Sequence, residues 1–453
     1  MGTFIRTLSS LSAYINPINN NNKKIFKKIS SHLKLHICII KTGSKKDTVG
    51  KEMVSLKKVM ALVSIMFTLQ TSAQTQTIRN APEEWITIFV HGTLGLRSNF
   101  SFATLGQFFR DTIEGTTYEK NVRTIRSNPF VFTMQPIQEV GLKKINAHCS
   151  CPCGSYVFAL LYNHLLKKYN SGTKNSYYTY GWSGLLSYKQ RHKEAGLFYR
   201  ALREELQKFA AQKRFPKVRL VTYSHGGNLA LNLGVIRSTD FPKDRFIIEE
   251  LSMIGMPVQY ANSCLICHPI FKRIFHMYSA GDHVQRLDLF SPSNFLSHKR
   301  FHGRLPSKLT QIELRVSAPL LRIPGVTLPA NARCNVDQSP GHIELWFFGW
   351  TPKNYRRNLA LYPLPMATFI PYFIHTATTC WPQERHLCFD IRPHQEKVIL
   401  SAVCNKTKKT VPFLNACDLT TLQRKAAEFH PGQKKYIDCY MRLQRSVNSD
   451  AYQ

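Results

Sequence analysis

The chain has 453 residues, 43% of them hydrophobic and 11% aromatic, which excludes a disordered protein and leaves room for a substantial core. That length suits one large domain with an extension, or two or three domains. A formal charge of +34 points to acidic surroundings such as an anionic membrane surface, but no nucleic-acid-binding motif and no basic helix with stacking aromatics accompanies it, so nucleic acid is not an expected partner.

Residues 1–52 are rich in Asn, Ser and Lys, almost free of acid and without sustained periodicity, and read as an upstream extension or a disordered basic segment. Met53, Lys57 and Lys58 then lead into an apolar stretch from Val59 to Leu69, closed by Thr71, Ser72 and Ala73. A positive start, a short apolar run and small residues before a cleavage point predict a signal peptide over 53–73, cut after Ala73, and a secreted or envelope location. The apolar run is shorter than the roughly 20 residues of a membrane-spanning helix. A transit peptide is the competing expectation, but Arg6 is nearly the only arginine it would have.

Trp85–Val90 reads as a short buried strand, followed at once by the turn His91-Gly92-Thr93-Leu94-Gly95, whose backbone N–H groups can face an anionic oxygen. From 99 to 153 the chain is irregular and aromatic, with Phe100, Phe102, Phe108, Phe109, Phe130 and Phe132; it is either core or a lid-like insertion over an apolar substrate. A helix is predicted over Ser155–Tyr169, a strand over Tyr177–Tyr180 and a second helix over His192–Gln212. The strand Val218–Tyr223 stops at Ser224, and a helical pattern with Leu229, Leu233 and Ile236 on one face begins directly after it. Small residues two positions either side relieve such a turn; Gly226 fills one place, but Thr222 stands in the other. Taken alone, the string also suits a serine that merely caps a helix.

Strands are further predicted over Phe246–Ile254, Ile274–Ser279 and Gln311–Val316, the second ending at Gly281-Asp282-His283, and a loop after the last of them carries Gly341-His342. Strands alternating with helices imply an α/β fold with a mostly parallel central sheet flanked by helices, where function sits at the carboxyl ends of the strands. Residues 351–453 lack the alternation, and Pro363, Pro365, Pro371 and Pro382 exclude a long helix there. Cys380, Cys388, Cys404, Cys417 and Cys439 make this a Cys-rich extension expected to be braced by disulfides. His148, Cys149, Cys151 and Cys153 with Cys264, Cys267 and His268 could hold zinc, but no standard spacing is met and no metal is assigned.

In this order His91-Gly92-Thr93, Thr222-Tyr223-Ser224-His225-Gly226-Gly227, Ile254-Gly255-Met256-Pro257, Gly281-Asp282-His283-Val284 and Gly341-His342 resemble the α/β-hydrolase superfamily, in its lipase and esterase branch, over roughly residues 85–350. The resemblance implies a domain over 74–350, with Ser224 as nucleophile, His342 as general base and Asp282 as the carboxylate that orients it. It implies an oxyanion site from the N–H of His225 and one near Gly92 or Thr93. Asp288 is a rival for Asp282, and His268, His276, His283 and His302 for His342, which is preferred for its place after the last predicted strand. The substrate implied is an acyl or lipid ester, with peripheral contact to an anionic membrane and no cofactor. The alternative is a silent hydrolase fold that binds an envelope surface or a protein partner.

Overall fold

The computed structural model describes residues 82–94, 111–137, 139–146, 153–286, 297–319, 335–337, 339–349, 361–394, 397–404, 407–429, 442 and 445. The upstream segment and signal peptide, Phe100, Phe102, Phe108, Phe109, the cluster at 148–151, Asp288 and Cys439 lie outside the described residues.

In chain order the elements are β1 (Glu83–Val90), α1 (Thr117–Ser127), α2 (Pro129–Met134), β2 (Gly141–Lys144), α3 (Gly154–Tyr169), β3 (Thr173–Gly181), α4 (Tyr188–Ala211), β4 (Lys217–Tyr223), α5 (His225–Thr239) and β5 (Ile248–Ile254). There follow α6 (Tyr260–Ser263), β6 (Phe271–Ser279), β7 (Leu309–Pro319), β8 (Asn335–Asp337), α7 (Ile370–Cys380), β9 (His386–His394), β10 (Lys397–Cys404), β11 (Thr407–Leu414) and α8 (Ala416–Phe429).

The strands form one mixed, mostly parallel sheet in the order β11-β10-β9-β7-β6-β5-β4-β1-β3-β2, with β8 paired to β7. From β3 to β9 every neighbour is parallel, whereas β2, β8, β10 and β11 are antiparallel additions. The central strands are buried on both faces, which is why β1 and β4 read as continuous apolar runs. Alternation then sorts their side chains. Ile86, Ile88 and Val90 join Leu220, Phe198, Leu229 and Leu231 in the core under α4 and α5. Phe89, Val221 and Tyr223 join Phe158, Leu161, Trp346 and Phe373 in the core under α3 and α7.

The polar exception inside the second layer is Arg219, whose guanidinium donates to Glu250 at 2.6 Å and lies over the Trp85 ring at 4.3 Å. Both charges of this pair are buried, so each is tolerable only because the other is present.

Two expectations change. Residue 350 is not a boundary: β9 pairs parallel with β7, and β10 and β11 continue the same sheet. Leu387, Phe389 and Ile391 alternate into the core, a period-2 signal lying between prolines and cysteines. His342 therefore does not follow the last strand, since three more come after it. The described part of the 99–153 insertion is in place as core, through Tyr118, Val122, Val131 and Ile137, with β2 forming the sheet edge. Pro371 sits in the first turn of the 11-residue α7, where a missing N–H costs nothing.

No disulfide is formed among the described residues, and Cys264, Cys267, Cys380 and Cys417 are free thiols. Among the described residues no group of three or more His, Cys, Asp or Glu could hold a metal ion, and no helix is long and apolar enough to cross a membrane.

Candidate active site

From β1 the chain passes to β3 on one side and then to β4 on the other, so β1 and β4 are neighbours at a reversal of the winding. Such a switch point opens a crevice outside the carboxyl ends of the strands. The turn after β1 carries His91, Gly92 and Thr93, and the turn after β4 carries Ser224.

Ser224 has φ +51° and ψ −135°, a backbone region a serine rarely occupies, and the surroundings hold it there. Its N–H donates to the Ile254 carbonyl on β5 at 3.0 Å, and its carbonyl accepts from Gly227 N–H at 2.9 Å. A Cβ on Gly226 would meet the His91 carbonyl oxygen at 2.4 Å, and one on Gly92 would meet Ser224 Cβ at 2.6 Å. These two glycines let the two turns touch. Thr222, by contrast, belongs to β4: its hydroxyl donates to the Ser252 carbonyl at 3.2 Å, and its branched side chain is accommodated in the sheet. The crowding expected from Thr222 falls instead on Gly226 and Gly92.

The remaining predicted residues converge on this turn. His342 Nε2 lies 2.9 Å from Ser224 Oγ, and His342 Nδ1 lies 2.7 Å from Asp282 Oδ2. With Nδ1–H donating to the carboxylate, Nε2 keeps its lone pair for the serine proton. Both contacts are within reach for general-base activation of a hydroxyl. Asp282 Oδ1 also accepts from Gln285 N–H at 3.2 Å, and Gln285 is itself tied to the Met256 carbonyl at 2.9 Å. The loops before Asp282 and His342 meet backbone to backbone, since a Cβ on Gly281 would fall 2.1 Å from the Ser339 carbonyl oxygen. Tyr223 donates its hydroxyl to the His342 carbonyl at 2.9 Å while its ring stacks on Trp346. Ser224, Asp282 and His342 are all buried.

No protein-family model and no curated protein sequence matches this chain.

The contacts that the motifs leave out lie around the first turn. His91 donates from Nδ1 to the Gly92 carbonyl at 2.7 Å, while its Nε2 accepts from Trp182 N–H at 3.3 Å and faces Arg126 Nη1 at 2.9 Å. Trp182 returns a bond from its indole N–H to the His91 carbonyl at 2.7 Å. Burial, with the Arg126 charge beside it, holds His91 down to about 3, so the ring is neutral and acts as a brace for the Gly92–Thr93 backbone. Thr93 Oγ1 is buried with no hydrogen-bond partner among the described residues. His225, the residue after Ser224, opens α5 and carries the second expected oxyanion N–H; its Nδ1 accepts from Asn228 at 3.3 Å. A helix start favours negative charge at this point.

The rival residues have other partners. His268 sits between Ser238 Oγ at 3.0 Å and Ile270 N–H at 3.2 Å, His276 is buried beside Gln311, and His283 and His302 are exposed.

Glu344 is the residue without a sequence signal. It is buried two positions beyond His342, and its carboxyl is pushed up to about 7, first by burial and then by the Asp282 charge.

These shifts set an acid dependence of stability. His91 and His276 are held down to about 3 and about 4 against an ordinary value of 6.5, chiefly by burial. Below pH 6.5 the unfolded chain takes up protons that the folded one refuses, which costs about 1.4 kcal/mol per histidine per pH unit. Glu344 acts in the opposite direction between its ordinary 4.5 and about 7, and cancels one histidine at most. The urea midpoint is therefore expected to be lower at pH 5 than at pH 7, and His276→Gln to shrink that difference; equal midpoints in the parent would contradict the assignment.

Proposed function

We propose that the protein is a serine hydrolase of the α/β-hydrolase type that cleaves acyl esters, lipid esters among them, through an acyl-enzyme intermediate. The observation that carries the reading is Ser224 at positive φ in a strand-to-helix turn, with His342 Nε2 at 2.9 Å and Asp282 behind it at 2.7 Å. The chain order Ser, Asp, His and the turn of a neighbouring strand beside the nucleophile support the same reading.

Ser224 Oγ attacks the acyl carbonyl as His342 Nε2 takes its proton. The oxyanion forms between the N–H of His225 and one from the Gly92–Thr93 backbone. Collapse expels the alcohol, which receives the proton from His342. Water then repeats the sequence and releases the acid, with Asp282 holding the imidazole in one tautomer and stabilising its charged form throughout. None of these steps calls for a cofactor.

The excess of Lys and Arg over Asp and Glu is proposed to draw the protein to an anionic lipid surface. A cleaved signal peptide ending at Ala73 would deliver it to the envelope or outside. Incubation with nitrophenyl esters of increasing chain length, free and in micelles, tests the proposal. Turnover with a transient acyl mass on the Ser224 peptide is expected. Lipid binding by a folded protein without turnover would replace the enzyme by the silent binding module.

A further inference from the structure

Glu344 lies in the short turn Ile343–Leu345 that begins directly after His342. The turn folds its carboxyl back on the loop that carries the histidine: Oε2 would be 2.6 Å from a Cβ on Gly341, and the carboxyl faces the N–H groups of Gly341 and of Glu344 itself. Oε1 is buried and has no hydrogen-bond partner among the described residues. As an anchor for Gly341, a glutamine would serve equally well and would avoid burying an acid. Packing alone therefore gives no reason for a carboxyl at this position.

The ionisable groups facing it are those of the proposed catalytic relay. Asp282, on the loop after β6, opposes its ionisation, and His342, on its own loop, favours it. Tyr223, at the end of β4, feels the charges of both Asp282 and Glu344 and is itself hydrogen-bonded to the His342 carbonyl. The segment Met366–Phe369 that packs on this turn has no ionisable side chain.

We propose that Glu344 is a positioning residue for His342, a second carboxyl folded onto the loop that carries it, whose ionisation adds negative charge to the relay and speeds acyl transfer. The inference rests on the relay of Ser224, His342 and Asp282. In the resting site the Glu344 carboxylate is opposed by Asp282. In the transition state the imidazolium offsets it, so the charge is better accommodated there than in the ground state, which is the condition for acceleration. Its burial and the neighbouring Asp282 place the change near neutral pH, at about 7. The site thereby gains a pH response of its own, with acylation slower in acid by more than the loss of a free imidazole explains.

The test is the pH dependence of the rate at which a neutral fluorophosphonate modifies Ser224, in the purified protein, in Glu344→Gln and in Glu344→Asp. In Glu344→Gln the rate at pH 9 is expected to fall by about tenfold, the effect of one pKa unit of charge interaction, while the rate at pH 5.5 stays within about twofold. Glu344→Asp is expected to keep part of the rise through neutral pH. A purely structural role would lower the rate by the same factor at every pH, and parallel profiles would overturn the inference while leaving the serine hydrolase intact. If Glu344→Gln does not fold, the parent profile decides: a rise attributable to one group overturns the proposal, and a steeper one supports it. Absence of any modification at Ser224 in the folded parent would remove the hydrolase reading, and this inference with it.

Discussion

Asp282→Asn is expected to slow acylation of Ser224 by about 10⁴-fold, the scale of removing the orienting carboxylate from a relay of this kind, while leaving the protein folded. Asp282 Oδ2 accepts from His342 Nδ1 at 2.7 Å, and the side chain is fully buried, so no water can substitute for it. An asparagine amide would donate to Nδ1 and drive the imidazole proton to Nε2, where it points at Ser224 Oγ and blocks proton removal. Asparagine keeps an oxygen for Gln285 N–H, so the loop retains that bond. The rate of fluorophosphonate modification and the unfolding midpoint, measured together, check this. A rate within tenfold of the parent would mean that Asp282 does not orient the base.

Gly92→Val is expected to cost between about 100- and 1000-fold in rate, the effect of losing one oxyanion donor. Even its first carbon would fall 2.6 Å from Ser224 Cβ and 2.9 Å from the Tyr223 ring. Ser224 cannot yield, because its positive φ is fixed by bonds to Ile254 and Gly227. The turn after β1 must move instead, carrying the Gly92–Thr93 backbone out of reach. Overpacking adds a stability loss of about 1–3 kcal/mol. Gly172→Ala serves as control, since nothing lies within 4 Å of a Cβ there. Equal rates in Gly92→Val and the parent would separate this turn from the chemistry.

The features legible in the sequence were those with local causes. Ser224 could be found because a strand must end and a helix must begin within one residue of it, and Gly226 records how tight that junction is. Asp282 lies just past the end of a strand, whereas His342 does not follow the last strand, since β9–β11 come later. Those strands were obscured because Leu387, Phe389 and Ile391 alternate with Cys388, Asp390 and Arg392 in a region dominated by prolines and cysteines. Thr222 looked like an obstacle because the small-residue rule concerns the turn, whereas its side chain belongs to the sheet. The bracing of His91 by Trp182 and Arg126, and the return of Glu344 to Gly341, depend on contacts between turns or on the path of one turn. No periodicity or motif spacing encodes either.

The central claim is that Ser224 is an activated nucleophile, and reaction of the purified protein with a fluorophosphonate beside Ser224→Ala tests it most directly. One covalent adduct is expected, on the Ser224 peptide of the parent and absent from Ser224→Ala. A folded parent that remains unmodified in the presence of a lipid surface, or equal modification of both proteins, would contradict it.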